Sequence, residues 1–290
     1  MNDYIILTDS ACDLPLNMVE ELNVEVLPLQ VIIDNKSYNS SPDEKDITFK
    51  EFYTCLRQGK QMSTGQVNVS QFLESFESHL KQDKDVLYIA FSSALSGTCN
   101  SANIAAEELN QKYSNNKVIV VDSLAASMGQ GLLVYHAALQ KKNGLTIEEL
   151  QQWLETNKLN LCHWFTVNDL FHLKKGGRIN ATSAIFGSML GIKPILHVSD
   201  EGKLIPMGKV RGRQASIQEL FKHMKEICIS PETQTVFISH GDCEKEAEIL
   251  KNLVISKLKV KNVIMNVIGP VIVNHSGPGT IALFFFGSKR

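Results

Sequence analysis

The sequence predicts an α/β protein of two domains: a parallel βαβ domain over residues 1–160 and a mixed-sheet α+β domain over residues 161–290. Two patterns carry that reading. Up to about residue 160, short β-rich runs alternate with helical patterns, the signature of parallel βαβ units. Beyond it, strand-like runs follow one another across short turns with only two helical patterns between them, which predicts a mixed or antiparallel sheet with helices on one face. The length, 290 residues, accommodates two ordinary domains.

The elements follow in order. Tyr4–Thr8 reads as a strand, Asp9–Asp13 as a turn, and Pro15 as the opening of a helix, since proline suits the first helical position. Val24–Ile33 reads as one further strand. Ser70 is placed to cap a helix whose apolar face is Leu73, Phe76 and Leu80. A strand at Val86–Phe91, a helix from about Gly97, a strand at Val118–Val121 and a helix from about Ser127 continue the alternation. Thr146 and Glu149 have the spacing of a capping box and open a helix through Trp153. In the second half, strands are predicted at Cys162–Val167, Lys193–Val198, Lys203–Gly208, Thr235–Ser239, Val263–Ile268 and Thr280–Phe286. Helices are predicted near Gln214–Ile227 and Cys243–Leu258.

Composition excludes several classes of function. The chain is 43% hydrophobic and 21% charged with a formal net charge of −2, so it lacks the bulk positive charge of a protein that coats nucleic acid or an anionic membrane. The N-terminal apolar run is too short for a signal peptide, and the run Ile281–Phe286 is far too short to span a membrane. A cytoplasmic protein is expected. The six cysteines are scattered with no C-x-x-C pair, so reduced, mostly buried thiols are expected rather than zinc or redox sites. Neither a P-loop nor a G-x-S-x-G elbow occurs.

In open α/β sheets ligands bind at the carboxyl ends of strands. Three such ends here carry small hydroxyl residues: Thr8-Asp9-Ser10, the segment Ser92–Thr98, and Asp122-Ser123. A Ser/Gly turn entering a helix offers free N–H groups and hydroxyls to an anionic oxygen. Any one of these serines serves equally as a helix cap; several in the same topological position favour a shared site. Met62–Gln66 reads as a polar, flexible stretch. Asn274–Thr280 reads as a Gly-rich turn joining two apolar strands, with His275 available to the loop itself or to a ligand. Lys174 and Lys175 suit a solvated helix end, while Arg178, beyond two glycines, is placed to turn inward to a carboxylate. Lys209, Arg211 and Arg213 form a second basic cluster, most simply an exposed strand edge.

Together these segments resemble the DegV family over essentially the whole chain. The matching motifs are DSACDL at Asp9–Leu14, STGQ at Ser63–Gln66, SSALSGT at Ser92–Thr98, and VDS ending in Asp122-Ser123. They continue with LKKGGRI at Leu173–Ile179, IKPIL at Ile192–Leu196, KVRG at Lys209–Gly212, and HSGPGT at His275–Thr280. The resemblance implies a carrier, not an enzyme, that holds one long-chain fatty acid such as palmitate, stearate or oleate in a tunnel between the two domains. It also implies a partner, a dihydroxyacetone-kinase-like fatty acid kinase that converts the bound acid to an acyl phosphate for phospholipid synthesis. Carried over by motif, the carboxylate-binding groups fall on Thr64, Ser96, His275 and Arg178, and Arg211 falls on the kinase-docking surface. No catalytic residue, metal or cofactor is implied. The chain departs from the family pattern in having Thr64-Gly65-Gln66-Val67 where TSQP is usual, and Ala94 where a glycine is usual. The first departure loosens the expected turn.

The physics suits that role. A 16-carbon tail gains on the order of 11 kcal/mol gross from burial, and the gain is forfeited if the carboxylate enters without partners. A different reading makes Ser96 a nucleophile, His275 its base and Asp9 or Asp122 the orienting acid of an esterase or acyltransferase. A nucleotide-dependent kinase is the third reading, weakened by the missing phosphate loop and metal-ligand cluster.

Overall fold

The computed structural model describes residues 3–179 and 191–290. The chain opens with β1 (Tyr4–Asp9), α1 (Leu16–Leu22) and β2 (Val24–Leu27). A small antiparallel unit interrupts the alternation: β3 (Leu29–Ile33), β4 (Lys36–Ser40), α2 (Phe49–Arg57) and β5 (Met62–Gly65). The βαβ pattern then resumes with α3 (Val69–Leu80), β6 (Asp85–Ala90), α4 (Thr98–Lys112), β7 (Val118–Asp122), α5 (Met128–Lys142) and α6 (Ile147–Asn157). The second half comprises β8 (Leu161–Thr166), α7 (Phe171–Lys175), β9 (Ile192–Val198), β10 (Leu204–Arg211), α8 (Arg213–Ile227), β11 (Thr235–His240), α9 (Glu244–Leu258), β12 (Asn262–Val267), α10 (Pro270–Ser276) and β13 (Ile281–Phe286).

The predicted α/β class holds. Four strands form a parallel sheet in the order β2-β1-β6-β7, and six form a mixed sheet in the order β10-β9-β8-β13-β11-β12. In the six-stranded sheet only β11 and β12 pair in parallel. The central strands β6, β8 and β11 are buried at every residue, which is why they are rich in apolar residues on both faces instead of alternating apolar and polar.

Four local expectations are corrected. Val24–Ile33 is two strands in two sheets, divided at Pro28: β2 extends the parallel sheet, whereas β3 pairs antiparallel with β4 and β5. Proline supplies no ladder N–H and ends the first pairing there. Met62–Gln66 is not a loose stretch. Its first four residues form β5, with Thr64 opposite Val31. The cap of α3 is Asn68, in a reciprocal box with Gln71, and its fully buried face is Phe72, Phe76 and Leu80. Finally, Asn274–Ser276 belongs to the last turn of α10 rather than to a strand-joining turn. Pro270 occupies its first turn, where a missing N–H costs no hydrogen bond.

Helix α10 is the keystone of the site. It contacts α2, α7, β3 and β5, and its start is fixed when the Gly269 N–H donates to Asp13 Oδ1 at 2.9 Å. Apolar packing crosses from one half to the other: a single buried cluster contains Ile6, Leu87 and Leu132 together with Phe165, Leu196 and Phe284. Among the described residues no helix is long and apolar enough to cross a membrane.

Candidate functional site

One cavity lies where the carboxyl end of the parallel sheet meets the six-stranded sheet. It encloses about 970 Å³ of space between its walls, counting the open solvent at its mouth. Its walls are largely apolar, with Leu29, Phe91, Leu95, Phe165, Ile268 and Phe284 among them. Thr64, Ser96, Arg178 and His275 all line it. The four come from β5, the loop before α4, the turn after α7, and α10.

Each is held by its local backbone. The β3–β5 ladder presents Thr64, whose Oγ1 lies 2.9 Å from His275 Nε2. Ser96 Oγ accepts from the Thr98 N–H at 3.2 Å and meets Thr98 Oγ1 at 2.8 Å, so it holds the first residue of α4 and lines the cavity at once. Arg178 reaches the cavity because Gly177, at φ +70°, reverses the chain after α7. Its Nε then donates to the Leu95 carbonyl at 3.2 Å, and Nη1 donates to the Gly176 carbonyl. His275 rests on Gly176, where a Cβ would come within 2.3 Å of Nδ1.

The electrostatics favour an anion. Arg178 is the only charged side chain among the described lining residues, and burial lowers its pKa. Burial, reinforced by Arg178 and His172, lowers the His275 pKa to about 4, so the imidazole is neutral at physiological pH. His275 Nδ1 and Ser276 Oγ are buried without a hydrogen-bond partner. A carboxylate would supply acceptors to this corner at low electrostatic cost.

Other residues singled out in the sequence serve the fold. Asp9 accepts from Tyr88 Oη, the Phe91 N–H and the Ala11 N–H, and Asp122 accepts from the Ser93 and Leu124 N–H groups. Ser10 Oγ accepts from the Leu29 N–H, and Ser123 Oγ donates to the Ala90 carbonyl. No Ser96–His275–Asp relay is assembled, since His275 Nε2 is engaged by Thr64 and Ser96 by Thr98. Lys174 and Lys175 are exposed at the C-terminus of α7. The second basic cluster is split between β10 and α8: Arg211 is exposed at the strand's end, whereas Arg213, the first residue of α8, donates from Nη2 to Asn168 Oδ1 and the Gly279 carbonyl. Register places Arg211 opposite Ile192 of β9, at the end of the sheet where β8 finishes with Thr166.

Sequence reasoning missed several lining groups. Gln66 packs on Gly97, where a Cβ would overlap its Oε1 at 2.2 Å, and donates from Nε2 to Ser101 Oγ at 3.0 Å. Ser127, His163 and Ser239 line the cavity from α5's start, β8 and β11. A second depression of about 1070 Å³, counting open solvent, adjoins it on the outer side of the head-group residues; it is bounded by Lys60, Phe171, His172 and Lys175 and shares Thr64, Arg178 and His275 with the cavity.

Comparison with known proteins agrees with this architecture. A family model described as "Uncharacterised protein, DegV family" matches residues 4–288. A DegV domain-containing protein of Clostridium perfringens is 48% identical over 290 residues, covering 100% of this chain and 99% of that one. Among solved structures, a DegV family protein of Thermus thermophilus, described by its fatty acid binding, superposes with TM-score 0.89 at 30% identity, covering 99% of this chain and 100% of that one. A DegV lipid-binding protein of Thermotoga maritima superposes with TM-score 0.86 at 31% identity, with 99% of each chain covered. On the full-length family match and the identity to its relatives, this chain belongs to the DegV family.

Proposed function

We propose that this protein carries one long-chain fatty acid, of the size of palmitate, stearate or oleate, with its tail in the cavity and its carboxylate at Thr64, Ser96, Arg178 and His275. The observation that carries this reading is the convergence of those four side chains on a largely apolar cavity whose described lining contains no carboxylate. The Thermus thermophilus relative, described by its fatty acid binding, supports the same ligand class. Hydrogen bonds to a charged group contribute roughly 1.5–3 kcal/mol each, enough to offset much of the cost of burying the anion. In this reading a first domain ends near residue 160, a second begins at β8, and the cavity is the tunnel between them.

The carboxylate would also be reachable. Thr64, Arg178 and His275 border both the cavity and the outer depression, so a partner seated there meets the head group without withdrawing the tail. This arrangement suits presentation to a fatty acid kinase in the cytoplasm, with the protein as the binding subunit and the phosphoryl transfer performed by the partner. Arg211, exposed at the end of β10, is assigned to docking. Reconstitution with a dihydroxyacetone-kinase-like fatty acid kinase, ATP and radiolabelled oleate tests the partnership. Acyl phosphate should form only when both proteins are present; formation by the kinase alone at the same rate contradicts the reading.

A further inference from the structure

The deep end of the cavity holds polar groups that a plain hydrocarbon tail would leave without partners. His163 is 1% exposed, lines the cavity wall, and neither of its ring nitrogens has a hydrogen-bond partner. A neutral imidazole always carries one N–H and one lone pair; the Leu161 backbone bears on the ring, so at least one of the two stands open there. Space for the ring is specifically provided: at Gly129 of α5, any Cβ would lie 2.5 Å from His163 Nε2. Ser239 pairs with Ala282, one strand repeat nearer the mouth than Phe284, which pairs with His163. Ser127 Oγ donates to Asp13 Oδ2 at 2.6 Å, so the 3.0 Å contact between the two serine hydroxyls uses the Ser239 proton and leaves Ser239 lone pairs free to accept.

We propose that the deep end is a subsite for an oxygen on the acyl chain, a mid-chain hydroxyl received by His163 with Ser239 beside it. The proposal rests on the fatty-acid reading above and narrows it to a substrate class. Strand geometry sets the position. Thr280, Ala282 and Phe284 line the cavity at alternate residues, which spans about 14 Å, or roughly ten methylenes of extended chain. A hydroxyl there satisfies the imidazole and is itself satisfied. A methylene there leaves a buried polar atom unpaired, and sites built for a hydroxyl discriminate against analogues that lack it.

The test is competition binding with octadecanoic acid, the same acid hydroxylated about ten carbons from the carboxyl, and its α-hydroxy isomer. Wild type should prefer the mid-chain hydroxy acid over octadecanoic acid by about tenfold, with no such preference for the α-hydroxy isomer. In His163→Leu the two acids should bind with equal affinity. Equal binding of the two acids by wild type overturns the proposal, and so does a preference that survives in His163→Leu or extends to the α-hydroxy isomer. The wild-type comparison decides the matter even if the variant fails to fold. Failure of wild type to bind any of the three acids refutes the fatty-acid reading itself, a different outcome from equal binding.

Discussion

Thr64 and His275, 211 residues apart in sequence, meet side chain to side chain at 2.9 Å at the cavity. One comes from the small antiparallel sheet and the other from the last turn of α10. Thr64→Ala removes the partner of His275 Nε2 and one hydroxyl from the head-group corner. Fatty acid affinity should fall about tenfold, and Thr64→Ser should restore most of it. Unchanged affinity in Thr64→Ala, measured by displacement of a fluorescent fatty acid, would remove this pair from the ligand.

Gly176 is the floor under His275. Its backbone is an ordinary right-handed conformation at φ −77°, so alanine introduces no backbone strain. The added methyl would meet His275 Nδ1 at 2.3 Å and push the imidazole out of place. Gly176→Ala should keep its circular dichroism spectrum while losing ligand at least as severely as Thr64→Ala. Full ligand retention would show that the imidazole position is immaterial.

The depressed His275 pKa has a pH signature. A histidine whose folded pKa is lowered from 6.5 to about 4 contributes stability that is complete above the unfolded value and is lost as pH falls from about 6.5 to about 4. For the ligand-free protein this amounts to about 2 kcal/mol by pH 5. His136 and His197, also lowered to about 4 by burial, share the wild-type decline, so the comparison with His275→Asn isolates one residue. Urea titrations should show a smaller loss between pH 7 and pH 5 in His275→Asn. A bound carboxylate stabilises the imidazolium and should shrink the wild-type loss further. Parallel curves for the two ligand-free proteins would contradict the assignment.

Arg290 ties the two halves together. Its guanidinium donates to the carbonyls of Leu124 (2.9 Å), Lys158 (2.5 Å), Leu161 (3.1 Å) and Ser199 (3.1 Å). Arg290→Ala should cost about 2–4 kcal/mol, and Arg290→Lys should recover only part, because an ammonium lacks the planar fork. A change below about 0.5 kcal/mol, the level of an ordinary surface substitution, would refute the clamp.

The proposed docking through Arg211 is separable from binding. Arg211→Glu should leave fatty acid content unchanged and slow kinase-dependent acyl phosphate formation, with the relative defect shrinking as salt rises. A variant that loses its fatty acid would show that Arg211 serves the cavity or the fold. Phosphorylation at the wild-type rate would remove it from the docking surface.

The parallel ladder was legible because strands buried on both faces read as apolar runs between helical patterns. The convergence of Thr64, Ser96, Arg178 and His275 on one cavity was legible through motifs, which specify residue types in order and spacing. What periodicity missed has physical causes. Pro28 was the available sign that Val24–Ile33 divides between two sheets. Gly269-Pro270 marked the start of α10, but the apolar residues on either side made a buried helix indistinguishable from a strand. His163 gave no signal, because alternation along β8 cannot tell a side chain facing a cavity from one packed in a core.

The most direct test of the central claim is organic extraction and mass spectrometry of gently purified protein, calibrated against protein concentration. About one long-chain fatty acid per chain is predicted, with Thr64→Ala and Gly176→Ala retaining less. Absence of fatty acid from the wild-type extract, together with no rise in melting temperature when fatty acid is added back, would contradict the account.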